Sequence, residues 1–288
     1  MNQTKKKNPL KRLLSMRGMG QVVTVTIGLI VLLVAFALIN PNFWSPTNRT
    51  NLLRQIAPIL IIGIAQSYVL ITGNIDLSIG SVVGMSTMVA ATLMSKGIMS
   101  PIPALLVTLL CCLLIGVLNG LLVAKFKLPP FIATLGTMTV ARGIAQLVNG
   151  NYNTDSIMKF YPEAAQTFKN VFYYGKTLGL YNGIWIAIIL WIVFNFLLSK
   201  TRTGRYIYAT GSNIDAARLS GVNVVSTTVI AYVVSAFCSF VVGIITCATV
   251  GQGTMDAGNS YEMYAVAASV IGGVSTLGGH CLLYTSPS

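Results

Sequence analysis

The sequence predicts an all-α protein, a polytopic bundle of membrane-spanning helices, from its composition and from the spacing of its apolar segments. Of the 288 residues, 54% are hydrophobic and only 9% are charged, and the mean hydropathy is +0.74. A soluble domain carries roughly 25% charged residues because its surface faces water. This chain has too few charges to cover such a surface, so its helices are expected to present apolar side chains to lipid.

Eight apolar segments follow one another along the chain, and a spanning helix needs about 20 mostly apolar residues. The segments are residues 21–39, 56–73, 79–95, 104–124, 131–149, 183–198, 225–246 and 262–279. We therefore expect about eight spanning helices in one transmembrane domain over residues 21–279, with long polar connections at 150–182 and 199–224. Connections of this length within a compact protein usually carry function.

The charge balance orients the chain in the membrane. It contains 19 Lys and Arg residues against 6 Asp and Glu, a net charge of +13. Short cytoplasmic loops carry an excess of Lys and Arg. With a basic cytoplasmic N-terminus over residues 1–20, eight crossings leave twelve basic residues inside and six outside. The same excess could indicate nucleic-acid binding, but the basic residues lie between apolar runs without interleaved aromatics, which favours contact with membrane lipid.

A cleaved signal peptide is the alternative for the N-terminal region. Residues 21–39 are longer than a typical signal-peptide core, and Asn40-Pro41-Asn42 does not resemble a small-residue cleavage site. These two features favour a retained first helix.

Metal and catalytic chemistry have little support in the sequence. The five cysteines include no Cys-x-x-Cys pair, and the only histidine is His280. A zinc site or a histidine-based triad is therefore not expected. No metal site, catalytic residue or bound cofactor is predicted, and a membrane enzyme is the least supported class of function.

The basic inner connection at 199–224 contains the signals of one short helix. Asn213 is a suitable N-cap, Asp215 lies in the first turn near the positive helix end, and Gly221 suits the position after the C-cap. A helix over residues 214–220 is too short to be stable alone in water. It could pack on the membrane helices of its own chain, or it could be a coupling helix seated in a groove of a cytoplasmic partner.

A polar break interrupts the apolar pattern at residues 72–81, between the second and third predicted spans. One interpretation is a tight turn in which Asp76 or Ser78 caps the next helix, a role worth roughly 1 kcal/mol. The other is a segment unwound within the membrane, which is tolerated where it lies buried in protein or lines a water-filled cavity. An Asp at that depth costs about 2.5 to 3.5 kcal/mol on insertion scales and needs a compensating role.

Arg142 is the other charge within a predicted span, eight residues before Gly150. Eight helical residues rise about 12 Å, so its side chain could extend to the outer interface. A structural pairing inside the protein is equally compatible with this position. A role beside a substrate path is the remaining alternative.

Four stretches together resemble the permeases of bacterial ABC importers for ribose, galactose and similar monosaccharides. They are GNIDLSIGS at 73–81; LPPFIATLG at 128–136 with ARG at 141–143; residues 203–205 continued by Asn213 and residues 220–221; and residues 261–262, 267–268, 271–273 and 278–279. The stretches occur in the order of the family and extend over roughly residues 55–279.

The resemblance implies a transport subunit that works with a second permease copy, a cytoplasmic ATP-binding subunit that uses the ATP, and an extracytoplasmic sugar-binding protein. It implies a bacterial inner-membrane location and a coupling role for the inner connection. The candidates for ATPase coupling are Gly204, Arg205, Gly211, Asn213, Asp215, Ala216, Ala217, Arg218 and Gly221. The candidates for the substrate path are Asn74, Asp76, Ser78, Phe131, Thr134 and Arg142.

The rival function is a secondary transporter driven by an ion gradient, with Asp76 as the ion or proton site. Inverted repeats would favour it, but no repeat is evident in the sequence. The chain also departs from the family pattern after Gly279, where residues 280–288 have neither the glycine-rich motif nor an apolar span. This atypical tail leads us to expect that about two C-terminal helices of the family are missing.

Overall fold

The computed structural model describes the backbone of residues 19–279 and the side chains of residues 23–279. The expectations for residues 1–18 of the basic N-terminus and for the tail at 280–288, with His280, lie outside the described residues. The domain boundaries drawn from the sequence stay predictions.

Helices account for most of the described chain, and each predicted apolar segment coincides with one of them. The helices are α1 (Met19–Ile39), α2 (Pro46–Ile71), α3 (Ile79–Ser95), α4 (Pro101–Ala124), α5 (Pro130–Leu147), α6 (Pro162–Lys169), α7 (Asn182–Lys200), α8 (Arg202–Ser212), α9 (Ile214–Leu219), α10 (Val224–Val250) and α11 (Tyr261–Ile271). A π-helical turn at Asn170–Tyr174 follows α6, and strands β1 (Lys176–Thr177) and β2 (Leu180–Tyr181) form a small antiparallel hairpin.

Within residues 19–279, α2, α4, α7 and α10 are long and apolar enough to cross a membrane by length and composition. Helices α3 and α11 are apolar but shorter, as is the Val23–Ile39 part of α1. The prediction of a polytopic helical protein is thus confirmed. The prediction of eight full spans is not confirmed by helix length.

The eighth predicted segment, 262–279, was drawn too long, because α11 ends at Ile271. Gly273 adopts a φ of 91°, a conformation that is costly for residues with a Cβ atom. Its amide bonds to the carbonyl of Val270, and the amide of Val274 bonds to that of Ser269, both at 3.0 Å. This is the hydrogen-bond pattern of a Schellman helix end.

Helix α10 lies at the centre of the bundle and packs against α2, α3 and α4. Glycines allow the closest of these approaches. A methyl group on Gly116 of α4 would lie 2.8 Å from the carbonyl oxygen of Tyr232, and one on Gly243 of α10 would lie 2.5 Å from the Cβ of Ser86. Small residues at such contacts let membrane helices approach closely, which is a main source of their packing energy.

Two non-helical segments enter the interior of the bundle from opposite sides. We call the side of residues 150–182 the outer side and the side of residues 199–224 the inner side. The polar break (residues 72–78) follows α2 from the inner side, and a re-entrant segment (residues 251–260) follows α10 from the outer side. The re-entrant segment lies along α3 from Ala91, beside Gly253, to Gly80, beside Gly258. Eleven helical residues correspond to about 16 Å of depth.

Helices α3 and α11 begin next to each other inside the bundle and run in opposite directions. Gly80, in the first turn of α3, contacts Glu262, in the first turn of α11. Helix α3 runs to the outer side, where Tyr161 donates a hydrogen bond to the carbonyl of Gly97. Helix α11 runs to the inner side, where Gly279 bonds to Ile71. The units α2–break–α3 and α10–re-entrant segment–α11 therefore form an inverted pair.

The two long connections contain more regular structure than the sequence indicated. The outer connection holds α6, the π-helical turn and the hairpin, and it contacts the outer end of α2 through Arg54. The guanidinium carbon of Arg54 lies 3.5 Å from the ring centroid of Tyr181 and 5.0 Å from that of Tyr173. The inner connection contains α8, which was not predicted, and α9, which was.

Candidate functional site

Asp76 lies in the polar break, inside the bundle, and only 3% of its surface is exposed. Its Oδ1 accepts hydrogen bonds from the amide of Ser78 at 2.9 Å and from the Ser78 hydroxyl at 2.6 Å. Its Oδ2 accepts one from the hydroxyl of Ser235 on α10, at 2.7 Å. Ser235 is roughly 16 Å from the inner end of α10 and roughly 22 Å from its outer end. The carboxylate is therefore close to the middle of the helix bundle.

The hydrogen bonds on Asp76 extend to two further helices. The side-chain amide of Asn119 on α4 donates to the Ser78 hydroxyl at 2.9 Å. The Thr137 hydroxyl on α5 donates to the Asn119 carbonyl oxygen at 2.6 Å. We call Asp76, Ser78, Asn119, Thr137 and Ser235 the Asp76 network. The donors Thr137, Asn119 and Ser78 all point toward Asp76, so the network holds its carboxyl group in one position inside the bundle.

A further hydrogen bond holds the polar break against α10. The Tyr232 hydroxyl donates to the carbonyl oxygen of Ile75 at 3.0 Å. Tyr232 is fully buried, and it lies about one helical turn below Ser235 on α10. Two successive residues of the break are thus bound to successive turns of the central helix.

Apart from Ser78, the other candidates for the substrate path form no hydrogen bond with Asp76 in the described part of the chain. Asn74 donates to the Thr72 hydroxyl at 2.8 Å and lines a groove on the inner side. Phe131 is 56% exposed on the surface of the bundle, and the buried Thr134 donates to the carbonyl of Pro130 in its own helix. The six candidates therefore occupy at least three separate places.

Arg142 of α5 lies against the re-entrant segment. One guanidinium nitrogen, Nη1, donates hydrogen bonds to the carbonyl oxygens of Met255 at 2.8 Å and Ala257 at 3.0 Å. A methyl group on Gly84 of α3 would lie 2.8 Å from that nitrogen and 2.7 Å from the carbonyl of Ala257. The arginine, the segment and α3 are thus packed together, and Arg142 satisfies backbone carbonyls that no regular structure pairs.

Glu262, in the first turn of α11, also lies near Arg142, and it is not among the candidates for the substrate path that the sequence predicts. Its carboxylate contacts Gly80 at the start of α3 and is attracted electrostatically by Arg142. Among the described residues, no hydrogen bond or ion pair reaches the carboxylate. The signal was available, because an acidic residue within an apolar segment is a default candidate for function. Asn119, a polar amide within the apolar α4, carried a signal of the same kind.

The inner connection forms two consecutive helices. Thr201 caps α8, its hydroxyl accepting from the amide of Gly204 at 3.3 Å. Asn213 alone separates α8 from α9, and its Oδ1 accepts from the amides of Asp215 and Ala216 at 3.0 and 2.9 Å. Arg218 and Asp215 lie 3.6 Å apart on the exposed side of α9.

Helix α9 has a buried side and an exposed apolar edge. Ala217 is 4% exposed and packs on the protein, while Leu219 and Ile214 are 91% and 47% exposed. Gly221 ends the helix with a φ of 81°. Arg205 on α8 is also exposed, whereas Gly204 is buried and so close to Leu198 that a methyl group would overlap its carbonyl oxygen.

A groove of about 700 Å³ on the inner side connects the polar break with the inner connection. Its walls include Gly73 and Asn74 of the polar break, Lys127 after α4, and Asn213 and Arg218 of the inner connection. The unwound segment and the candidate coupling helix therefore share one cavity.

A comparison with known protein families shows which family this chain belongs to. The family model described as the permease component of the branched-chain amino acid transport system matches residues 48–282. The chain belongs to this family. The matched residues include the polar break, the Asp76 network, the inner connection and the re-entrant segment, so all regions described above are parts of this permease.

Three curated relatives show where the permease lies within that family. It is 40% identical over 256 residues to the ribose import permease protein of Haemophilus influenzae, covering 88% of this chain and 77% of the relative. It is 35% identical over 287 residues to the galactofuranose transporter permease protein of Escherichia coli, covering 96% and 80%. It is 33% identical over 267 residues to the galactose/methyl galactoside import permease protein of Salmonella typhimurium, covering 87% and 78%. No solved structure is significantly similar to it.

These relatives confirm the resemblance inferred from the four stretches. This permease is a membrane transport subunit and not an enzyme, and the comparisons favour an importer permease over a carrier driven by an ion gradient.

Proposed function

We propose that this permease forms the translocation path of an ATP-driven importer for a monosaccharide of the ribose or galactose type. The groove shared by the polar break and α9 carries the proposal, because it connects an unwound membrane segment to a helix exposed on the inner side. The substrate class is supported by relatives named for ribose, galactofuranose and galactose. Asn74, Asp76, Ser78, Phe131, Thr134 and Arg142 stay the candidates for the path, with Glu262 added.

The proposed topology has eight crossings of the bacterial inner membrane with a cytoplasmic N-terminus. Each of two crossings combines a helix that is shorter than a full span with the non-helical segment that precedes it. Helix α3 is completed by residues 72–78, and α11 by residues 251–260. This arrangement is compatible with a bilayer because both non-helical segments are held against helices of the bundle, the first by Tyr232 and Ser235 and the second by Arg142.

The proposed site for the cytoplasmic ATP-binding subunit is the exposed edge of α9. Ile214 and Leu219 would enter an apolar groove of that subunit, in the manner of a helix-in-groove contact. Asp215, Arg218 and Arg205 would form the polar rim around it. ATP would bind to the partner, and this chain would supply no nucleotide site.

Two further partners belong to the proposal. A second copy of the permease would complete the path, and an extracytoplasmic sugar-binding protein would deliver the substrate to the outer side. The exposed apolar face of α5, with Phe131, Ile132 and Val140, is available for contact with a second copy or with lipid. The outer connection is the largest outer element for a binding protein to contact.

The test is the substitution Leu219→Asp, compared with Leu178→Asp as a matched control. Both leucines are almost fully exposed, at 91% and 86%, but Leu178 lies in the hairpin of the outer connection. Leu219→Asp should abolish co-purification of the ATP-binding subunit in mild detergent and should stop uptake of labelled ribose or galactose. Leu178→Asp should leave co-purification intact. Equal recovery of the ATP-binding subunit with both variants would contradict the proposed contact.

A second measurement separates the proposal from the ion-gradient alternative. Uptake into cells should stop when ATP is depleted and should persist when the ion gradients are collapsed at constant ATP. The inverted pair is a feature that favours the alternative, whereas both oxygens of the Asp76 carboxyl group already accept hydrogen bonds from Ser78 and Ser235, so the measurement decides between the two. Uptake that follows the gradient instead of ATP would contradict the proposal.

A further inference from the structure

Three segments meet at the inner side of the permease through backbone atoms. The amide of Gly279 donates a hydrogen bond of 2.9 Å to the carbonyl oxygen of Ile71, the last residue of α2. The hydroxyl of Ser212, the last residue of α8, donates to the carbonyl oxygen of Tyr208 at 2.9 Å and lies 3.5 Å from the carbonyl oxygen of Gly279. We call the contact made by Gly73, Gly211, Gly278 and Gly279 the glycine junction.

The contact leaves no room for side chains. A methyl group on Gly211 would overlap the carbonyl oxygen of Ile71 and would lie 2.7 Å from the amide nitrogen of Gly279. A methyl group on Gly278 would lie 2.9 Å from the Cα of Gly73 and from the carbonyl oxygen of Gly211. Side chains can absorb small displacements by changing rotamer, but backbone atoms in direct contact cannot. A movement of any one segment must therefore displace the others or separate the contact.

The junction lies between the two regions that an importer must connect. On one side, Gly211 is three residues before Ile214, the first residue of α9, and only Asn213 separates the two helices. On the other side, Ile71 is five residues before Asp76. The break between them is bound to α10 through the carbonyl of Ile75 and the carboxylate of Asp76. The path from α9 to the Asp76 network is short and consists of bonded or touching backbone.

We propose that Gly211 is the positioning residue through which a movement of α9 is transferred to the polar break. The inference rests on the proposed docking of the ATP-binding subunit to α9. When that subunit binds ATP and displaces α9, the end of α8 pushes on Ile71 and Gly73 and shifts the break relative to α10. A bulkier residue at 211 would separate α8 from α2 and would uncouple ATP hydrolysis from transport.

The first test is Gly211→Ala in the complete transporter, reconstituted with its ATP-binding subunit and sugar-binding protein. Gly28→Ala is the matched control, because Gly28 is also a helix glycine and no atom lies within 4 Å of the added methyl group. We expect Gly211→Ala to retain the ATP-binding subunit while the sugar transported per ATP hydrolysed falls tenfold or more. The control should match the parent protein. An unchanged transport ratio in Gly211→Ala would overturn the inference.

The second test uses the unsubstituted transporter and therefore does not depend on whether the variant folds. Hydrogen–deuterium exchange is compared between the nucleotide-free complex and the complex with a non-hydrolysable ATP analogue. We expect the amides of Gly279 and Asn74 to change their exchange rates together with those of residues 209–213. Unchanged exchange at Gly279 and Asn74, with altered exchange in α9, would overturn the inference and leave the docking of α9 intact. Unchanged exchange in α9 itself would contradict both.

Discussion

The hydroxyl of Ser235 donates a 2.7 Å hydrogen bond to the carboxylate of Asp76 across 159 residues of sequence. This bond connects the middle of the longest described helix, α10, to a segment that has no helical hydrogen bonds of its own. The other carboxylate oxygen, Oδ1, accepts hydrogen bonds from the amide and the hydroxyl of Ser78 within the break. The carboxylate therefore fixes the position of the break relative to α10 and the start of α3.

Replacing Asp76 should destabilise the permease more than replacing an exposed acid. In Asp76→Asn one side-chain oxygen becomes an NH₂ group that cannot accept from Ser235 or Ser78, and a hydrogen bond to a charged group is worth about 1.5 to 3 kcal/mol. We expect a loss of free energy of unfolding of that size, measured by denaturant titration in mixed micelles. Asp155→Asn is the control, since Asp155 forms an exposed pair with Lys159, and exposed ion pairs contribute little to stability. Equal losses in the two variants would argue against the network.

The contact between Asn119 and Thr137 should appear as an energetic coupling. The variants Asn119→Ala and Thr137→Val each remove one side of a 2.6 Å hydrogen bond between α4 and α5. Residues within one hydrogen-bond network show interaction energies of about 0.5 to 3 kcal/mol in double-mutant cycles. The free energies of unfolding of the parent, the two single variants and the double variant give this value. Additive losses would mean that the bond does not contribute.

Arg142 should control the docking of the re-entrant segment. Arg142→Gln shortens the side chain and removes the charge that binds the carbonyls of Met255 and Ala257. Two such hydrogen bonds are worth about 3 kcal/mol, which corresponds to a rise of roughly a hundredfold in the population of the undocked segment. Hydrogen–deuterium exchange of residues 251–260 measures this change. Lys159→Gln, a loss of positive charge in the outer connection, should leave the exchange of these residues as it was.

The role of Asn213 should depend on its capping oxygen and not on its being an asparagine. Asn213→Ala removes the acceptor for the amides of Asp215 and Ala216, which costs about 0.5 to 2 kcal/mol of helix stability. We expect weaker co-purification of the ATP-binding subunit and faster amide exchange in α9. Asn213→Asp keeps a capping oxygen and should restore both. A failure of Asn213→Asp to restore them would indicate that the asparagine contacts the partner directly.

Features that depend on residues close in sequence could be predicted. Helix α9 was expected at 214–220 from Asn213 and Gly221, and it is present at Ile214–Leu219, because capping and helix termination are local properties. The end of α11 was local too, since Gly272 and Gly273 stop it.

Features that depend on distant residues could not be predicted. Nothing in the sequence near Asn119 indicates that it contacts Ser78, 41 residues away, because such a contact follows from how the helices pack. The inverted pair was missed for the same reason. Its only sequence trace is a Gly-x-x-Asp pattern at Gly73–Asp76 and again at Gly253–Asp256, which is too short to stand out. The class of function could be predicted because four stretches of the sequence together resemble one family.

The inverted pair has a consequence for the energetics of transport. If one unit opens toward the outside by the same rearrangement with which the other opens toward the cytoplasm, the contacts of the two open forms are related by an approximate two-fold rotation about an axis in the membrane plane. Their intrinsic free energies are then nearly equal, and neither side is a deep energy minimum. Reversing the occupancy of two such states from 1:99 to 99:1 takes about 5.5 kcal/mol. If the two forms have nearly equal free energies, the ATP-binding subunit needs to supply no more than about this amount of differential binding energy to change which form is populated.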